Sequence, residues 1–236
     1  MNAFDQKDFF GSAIGGTVPR GWIDASTLRE VPDHQEIFLS PTTLSNMIIE
    51  LNEQVTTEDA LSALGSTATL DTPATDPRSG VPATTETVDK AAALYHLRDL
   101  CDDGDAMQII NAPRPVTLGR FPSNGSSAVP AYAGVVSYTS PRRQSGAGRI
   151  PVHGEGAAAG SSAMGPLTSK FTCHFLLARL KEKATDVLVF VNVPHEEFDK
   201  TGDPRGLSRE EDLASGLVNK MIETLEVKDW SLFGSA

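Results

Sequence analysis

Two apolar segments near the C-terminal end of the sequence limit the possible folds more than any other feature. Residues 171–180 (FTCHFLLARL) and 187–193 (VLVFVNV) are rich in β-forming side chains, and the polar stretch KEKATD separates them. The second segment is almost continuously apolar, which is typical of a central strand that is covered on both faces. The pair predicts a β-hairpin in the interior of a sheet.

The remaining periodicity predicts more strands and three helices. Short extended segments rich in β-formers predict strands at 13–18, 22–24, 35–39, 107–110 and 131–138. Helical spacing of apolar residues predicts helices over 42–55, over 86–103 and from Ser208 onward, where Ser208 and Glu211 fit a capping box. Because helices and hairpin-like strands alternate irregularly, we expect an α+β fold with an antiparallel β-sheet flanked by helices.

Three stretches of low complexity interrupt these elements. Residues 66–87 are rich in Ser, Thr and Pro, residues 140–169 consist mostly of Gly, Ser, Ala and Pro, and residues 121–130 have the same character. Such segments bury too little apolar surface to offset the entropy of ordering them, so we expect long flexible insertions. The rest of the chain has the size of one domain, and we expect residues 1–236 to form a single domain.

The charge balance argues against several classes of partner. Lys and Arg number 20 and Asp and Glu 31, so the net charge is −11 at pH 7. We therefore expect neither a nucleic acid nor an anionic membrane surface as a partner. The sequence has no run of 18 apolar residues, and residues 1–10 resemble neither a signal peptide nor a transit peptide. With two cysteines, Cys101 and Cys173, we expect an intracellular protein in a reducing compartment.

No motif in the sequence indicates catalysis, a cofactor or a metal site. HExxH, Cys-x-x-Cys, GxSxG and P-loop patterns are absent, and the Gly-rich residues 154–160 lie in low-complexity sequence rather than between a strand and a helix. Cys173 and His174 are neighbours on a predicted strand, so their side chains point to opposite faces and cannot form a nucleophile–base pair. We expect His96 to be a structural histidine. The sequence thus predicts a protein that is not an enzyme and has no catalytic, metal or cofactor site.

Acidic residues are concentrated in the first quarter of the chain. Residues 1–60 hold three basic and ten acidic side chains and carry −7 of the net charge. On a helix over 42–55, Glu50 and Glu53 would point away from the core side by side, at positions i and i+3. This pattern is compatible with a solvated face that aids solubility, and also with a landing surface for a basic protein partner.

A longer pattern near the N-terminus resembles a known signature. The sequence FGSAIGGTVPRGWIDASTLREVPDHQEIFLS is similar to the signature of the Mog family of Ran-binding nuclear import factors. The matching residues are Phe10-Gly11, Ala13-Ile14, Val18-Pro19, Gly21-Trp22-Ile23-Asp24-Ala25-Ser26, Arg29-Glu30-Val31-Pro32-Asp33 and Gln35-Glu36-Ile37-Phe38. The resemblance resumes at 47–55, 93–100, 171–196 and 227–233 and skips the low-complexity stretches.

The resemblance implies a fold, a partner and a set of site residues. Members of the family have an α+β sandwich related to the PsbP photosystem proteins, bind the small GTPase Ran and promote release of its nucleotide. The resemblance therefore implies a monomeric regulator of nuclear import in the nucleus and cytoplasm, with Glu50 and Glu53 matching the acidic pair on the family's first helix. It extends the same surface to five further residues, which are Asp24, Arg29, Asp33, Gln35 and Glu36. A PsbP-type accessory protein of the same fold, without Ran activity, is the alternative.

Overall fold

The computed structural model describes residues 3–65, 83–102, 104–121, 128–141 and 168–233. In this part of the chain the strands are β1 (Phe4–Phe9), β2 (Ile14–Pro19), β3 (Ile23–Asp24), β4 (Gln35–Leu39), β5 (Asn46–Glu53), β6 (Ala106–Val116), β7 (Ala131–Pro141), β8 (Thr168–Leu180), β9 (Thr185–Pro194) and β10 (Glu226–Val227). The α-helices are α1 (Thr57–Gly65), α2 (Thr85–Asp99), α3 (Glu196–Thr201) and α4 (Pro204–Thr224). Short 3₁₀ turns occur at Ala25–Thr27, Lys181–Lys183 and Trp230–Phe233.

The strands form two antiparallel sheets. The larger sheet has the order β3-β4-β5-β9-β8-β7-β6, and a three-stranded sheet has the order β1-β2-β10. Strands β8 and β9 pair directly from Phe171 opposite Pro194 to Leu180 opposite Thr185, and β9 is the middle strand of the seven. The predicted interior hairpin is therefore confirmed, as is the α+β class.

Both faces of the large sheet are covered, which explains the apolar character of β9. Val189 and Val191 pack toward one face, with α4 and the small sheet. Leu188 and Phe190 pack toward the other face, where α1 and α2 lie. The molecule thus consists of three layers, with the seven-stranded sheet in the middle.

The prediction of a helix over 42–55 is wrong, because this segment contains strand β5. Met47 and Ile49 are fully buried on the α4 face, and Leu44 is 61% exposed in the turn before the strand. Strand β5 lies inside the seven-stranded sheet, and both faces of that sheet are covered by other layers. Apolar residues therefore occupy both faces of β5, and the sequence does not show the alternation of apolar and polar residues that is typical of a half-exposed strand. The helical spacing that starts at Leu44 was a coincidence of this two-sided burial.

The other predicted helices exist with different boundaries. Helix α2 ends at Asp99 rather than near residue 103. Helix α4 starts at Pro204, where Asp203 is the N-cap and its side chain accepts a hydrogen bond from the amide of Gly206. Ser208 is therefore an interior residue and not the predicted cap. A proline in the first turn and an aspartate before it form a stronger start signal than the capping box.

The predicted insertions fall mainly on residues outside the described ranges, namely 66–82, 122–127 and 142–167. The Gly-rich residues 154–160 are among them. At the edges of these stretches the structure corrects the predicted boundaries, because residues 85–87 form the first turn of α2, residues 140–141 end β7 and residues 168–169 begin β8. Of the helices in the described ranges, none has the length and apolar character needed to cross a membrane.

A candidate partner-binding groove

A groove of about 490 Å³ opens where β5 ends and α1 begins. The start of β4 and the end of β5 form one side, the β5–α1 connection forms the next, and the C-terminal end of α2 forms the third. Four acidic residues line it, which are Glu50, Glu53, Asp59 and Asp99, and no Lys or Arg is among the described residues of its lining. We call this feature the acidic groove.

Glu50 is the buried carboxylate of the acidic groove. Its side chain lies on the α2 face of β5, directly opposite Gln35 in the β4–β5 pairing. Gln35 Nε2 donates to Glu50 Oε1 over 2.6 Å, and Asn52 Nδ2 donates to Glu50 Oε2 over 3.1 Å. The residue is 6% exposed. Glu50 therefore does not point outward, as the helix prediction required, but is held in place by two neutral amides.

Glu53 differs from Glu50 in both exposure and direction. It is the last residue of β5 and is exposed. Because side chains alternate along a strand, positions i and i+3 point to opposite faces, so the two glutamates are not side by side. Both nevertheless line the acidic groove. The groove therefore offers one carboxylate that is shielded from water and another that water and salt can screen.

The rim on α2 adds apolar contact area. Tyr95 and Leu100 line the groove and are 37% and 44% exposed. Their exposed apolar atoms lie beside the carboxylates of the groove.

A buried ionic network supports two sides of the groove. Arg179 on β8 donates from Nε to Asp186 Oδ1 over 2.9 Å and from Nη1 to Asp89 Oδ1 over 2.8 Å. Asp186 Oδ2 lies 2.9 Å from His96 Nε2, so His96 on α2 is a satisfied structural histidine, as expected. The backbone of Val55 joins the same network, because its N–H donates to Asp186 Oδ2 and its carbonyl accepts from Arg179 Nη2. The network thus fixes both the β5–α1 connection and the α2 side.

Comparison with known proteins identifies the family. A family model described as Ran-interacting Mog1 protein matches residues 7–194. The chain belongs to this family.

Curated relatives match this chain over short stretches. The Ran guanine nucleotide release factor of Bos taurus is 52% identical over 53 residues, which cover 22% of this chain and 28% of the relative. The human protein of the same name is 50% identical over 44 residues, or 19% of this chain and 24% of the relative. The nuclear import protein MOG1 of Saccharomyces cerevisiae is 54% identical over 35 residues, or 15% and 16%. The chain therefore spans less than a third of the length of each of these relatives.

Solved structures agree with the family assignment at the level of the fold. The crystal structure of the Saccharomyces cerevisiae Ran-binding protein Mog1p superposes with a TM-score of 0.56 at 22% identity, covering 99% of this chain and all of that one. A mutant form of the Mog1 protein superposes with a TM-score of 0.53 at 20% identity and the same coverage. The chain thus has the Mog1 fold.

Two of the five further signature residues lie together away from the acidic groove. Asp24 caps the turn Ala25–Thr27 and pairs with Lys7 at 3.7 Å, and Glu36 accepts a hydrogen bond from the backbone N–H of Phe10. Burial raises the pKa of Glu36, and the nearby charge of Asp24 adds to this. Burial would also raise the pKa of Asp24, but hydrogen bonds from Ser26 and the charge of Lys7 outweigh it and lower that pKa. Both carboxylates thus have contacts within the fold.

Of the other signature residues, only Gln35 lines the acidic groove. Arg29 and Asp33 are exposed in the segment between the turn Ala25–Thr27 and β4, and neither lines the groove. Of the seven predicted contact residues, the structure therefore brings together Gln35, Glu50 and Glu53. Sequence reasoning missed Asp59 and Asp99, although their positions beside helix termini follow from the elements once β5 is known to be a strand.

A second groove, of about 520 Å³, lies between β6, β7 and α4, and none of the predicted contact residues lines it. Next to it, His174 and His195 both contact Glu211, with Nε2 to carboxylate distances of 2.6 Å and 3.3 Å. Thr172 Oγ1 lies 2.7 Å from the same Nε2 of His195. In a catalytic hydroxyl–histidine–carboxylate arrangement the hydroxyl and the carboxylate contact different ring nitrogens, so this cluster does not have that geometry. No group of His, Cys, Asp and Glu among the described residues is arranged to hold a metal ion.

Proposed function

We propose that this chain is a Ran-binding regulator that promotes guanine-nucleotide release from Ran and supports nuclear protein import, acting in the nucleus and cytoplasm as a single domain. Membership of the Mog1 family and the names of the relatives support this proposal. The observation that carries it here is the acidic groove, which presents Glu50 and Glu53 together.

An acidic groove suits a basic surface on a GTPase. The net charge of −11 attracts a positively charged partner over a distance and raises the rate of encounter. Within the groove, Tyr95 and Leu100 supply apolar contact area beside the carboxylates. In this proposal the carboxylates determine the position of the partner on the groove, and Tyr95 and Leu100 add apolar contact area from which water is excluded.

Nucleotide release needs no catalytic group on this chain. A GTPase holds its nucleotide through Mg²⁺ and a P-loop lysine, which are both positive. A protein that binds the nucleotide-free state more tightly than the loaded state shifts the equilibrium toward release. By linkage, it binds nucleotide-free Ran more tightly by the same factor by which it weakens nucleotide binding.

Cys173 and His174 are not arranged as a nucleophile and its base. Burial raises the pKa of the Cys173 thiol far above its usual range, so this side chain is not a thiolate nucleophile. Its neighbour His174 points to the opposite face, where it contacts Glu211 on α4.

The test is release of a fluorescent nucleotide from Ran. Ran loaded with labelled GTP or GDP is mixed with excess unlabelled nucleotide, with and without this protein. We expect faster release as the protein is added, and equal rates at saturating protein would contradict the proposal.

Variants connect this activity to the groove. Because Glu50 is buried, its charge is removed with Glu50→Gln rather than reversed, and Glu53→Lys reverses the exposed charge. We expect the double variant to weaken Ran binding by at least about tenfold. A control matched in net charge, Asp212→Lys with Glu223→Gln, changes two exposed acids on α4 and should bind nearly as wild type.

A further inference from the structure

The described residues contain three acidic side chains that are almost completely buried, and two of them have cationic partners. Asp89 and Asp186 are 1% and 0% exposed, and both pair with Arg179. Glu50 is 6% exposed and has no cation within ion-pair distance among the described residues. Buried carboxylates in proteins usually have a cationic partner, so the lack of one beside Glu50 calls for an explanation.

We propose that Gln35 and Asn52 are positioning residues that hold the Glu50 carboxylate ready for a cationic side chain of the partner, which supplies the missing counter-charge. We call the pair the amide clamp. This inference rests on the proposed function, since it assigns roles within the surface that would bind Ran. It also changes the role of Gln35, from a predicted contact residue to a residue that acts through Glu50.

The geometry of the amide clamp fixes the carboxylate from two directions. Gln35 approaches from the neighbouring strand β4 and binds Oε1 over 2.6 Å. Asn52 lies two residues after Glu50 on the same face of β5 and binds Oε2 over 3.1 Å. With one donor on each oxygen, the plane of the carboxylate is set, while each oxygen can still accept a further hydrogen bond.

The neutrality of the two donors is the important chemical property. An amide orients a carboxylate without cancelling its charge, whereas a lysine or arginine in the same place would satisfy it. Elsewhere in the fold the buried carboxylates meet cations, as Asp89 does with Arg179 and Lys181. The amide clamp thus leaves Glu50 without an ion-pair partner inside the described part of the fold, and a charge pair formed at such a buried position is stronger than one at an exposed site.

The first experiment measures coupling to Glu50. Binding of Ran to the full chain is measured by calorimetry for Gln35→Met and Asn52→Leu, alone and combined with Glu50→Gln. We expect each clamp substitution to weaken binding about threefold to tenfold in the wild-type background and by less than about twofold when Glu50 is already Gln. The matched control is Asn46→Leu, on the same face of β5, whose side chain contacts Asn192 instead. It should change affinity by less than about twofold.

The second experiment separates positioning from simple structural support. Gln35→Lys retains a donor opposite Glu50 but adds the positive charge that we assign to the partner. The proposal predicts a higher melting temperature together with affinity as low as that of Glu50→Gln. A substitution that merely disturbed the fold would lower both, and unchanged affinity for Ran would show that neutrality is irrelevant.

The outcomes distinguish this inference from the function on which it rests. If wild-type protein does not bind Ran, the proposed function is wrong. If Ran binds and Glu50→Gln weakens the complex, but the clamp substitutions have no effect or act equally in the Glu50→Gln background, the amide clamp is overturned and the function stands. If Glu50→Gln binds Ran with wild-type affinity, Glu50 does not bind a cation of the partner, and the proposed role of the amide clamp is overturned as well.

Discussion

Arg179 and Asp186 lie directly opposite each other on β8 and β9, and the guanidinium Nε donates to Asp186 Oδ1 over 2.9 Å. The pair is buried and is extended by Asp89 and by the backbone of Val55. Arg179 thus contacts two buried carboxylates and a backbone carbonyl at once.

We expect Arg179→Met to destabilise the protein by about 3–5 kcal/mol, because it leaves two buried carboxylates without their common partner. Urea unfolding measures this difference. Arg114→Met is the matched control, since Arg114 is exposed on β6, and its effect should stay within about 0.5 kcal/mol. A loss below about 1 kcal/mol for Arg179→Met would show that the network contributes little to folding.

The environment of Glu211 leads us to expect that the stability of the fold depends on pH. Burial alone would raise its pKa, but hydrogen bonds from His174 and Thr172 and the charges of His174 and His195 lower it below the ordinary value. Since the pKa is lower in the folded state, the carboxylate contributes stability above the unfolded pKa of about 4.3, and this contribution is lost as pH falls through the folded pKa. We expect the difference in unfolding free energy between wild type and Glu211→Gln to be largest near pH 6–7 and to narrow below pH ~4. A difference that is independent of pH would contradict this.

For Glu36 we expect the opposite dependence of stability on pH. Burial raises its pKa, so the folded state disfavours the carboxylate, and the stability linked to its protonated form is lost as pH rises through the folded pKa. Glu36→Gln retains an acceptor for the N–H of Phe10 and removes the charge. We expect this variant to be at least as stable as wild type at pH 7 and to lose that advantage near pH 4. Thermal unfolding at both pH values decides the matter, and a variant clearly less stable at pH 7 would show that the charge itself is needed.

The two glutamates of the groove should respond differently to salt. Glu53 is exposed, so its attraction to a partner is screened, whereas Glu50 is shielded. We expect the effect of Glu53→Gln on Ran affinity to be a few-fold in 50 mM salt and nearly absent in 500 mM, while the effect of Glu50→Gln persists. Titrations at the two salt concentrations test this, and parallel salt dependence would show that both carboxylates are equally accessible.

The paired ends of β7 and β8 give a prediction about chain length. Pro141 lies opposite Thr168 in the register, so a short turn can join the two strands. We expect replacement of residues 142–167 by a four-residue Gly/Ser turn to change the melting temperature by only a few degrees, since loop-closure entropy varies slowly with length. Loss of cooperative unfolding would show that the deleted residues contribute to the core.

The sequence pattern was sufficient to predict those elements that are defined by residues close together in the sequence. The hairpin of β8 and β9 and helices α2 and α4 were predicted because their periodicity and intervening turn are local. Strand β5 was mistaken for a helix because both of its faces are covered, and that fact depends on distant strands and helices.

Only part of the acidic groove could be predicted from the sequence. Glu50 and Glu53 could be named from the resemblance, but their exposure depends on the correct assignment of β5. The ionic network could not be predicted, because Val55, Asp89 and Arg179 are far apart in the sequence and no spacing rule links them. In the sequence, isolated charged residues on a helix and a strand predict exposed positions, and only the tertiary structure shows that these residues are buried together.

The backbone of Val55 is held at both its N–H and its carbonyl by groups that are themselves buried. We therefore expect this side of the groove to keep the same backbone conformation with and without a partner, so that binding costs little conformational entropy there. If the groove binds the proposed partner, we expect association in a single encounter step whose rate follows diffusion and ionic strength rather than a slow internal rearrangement.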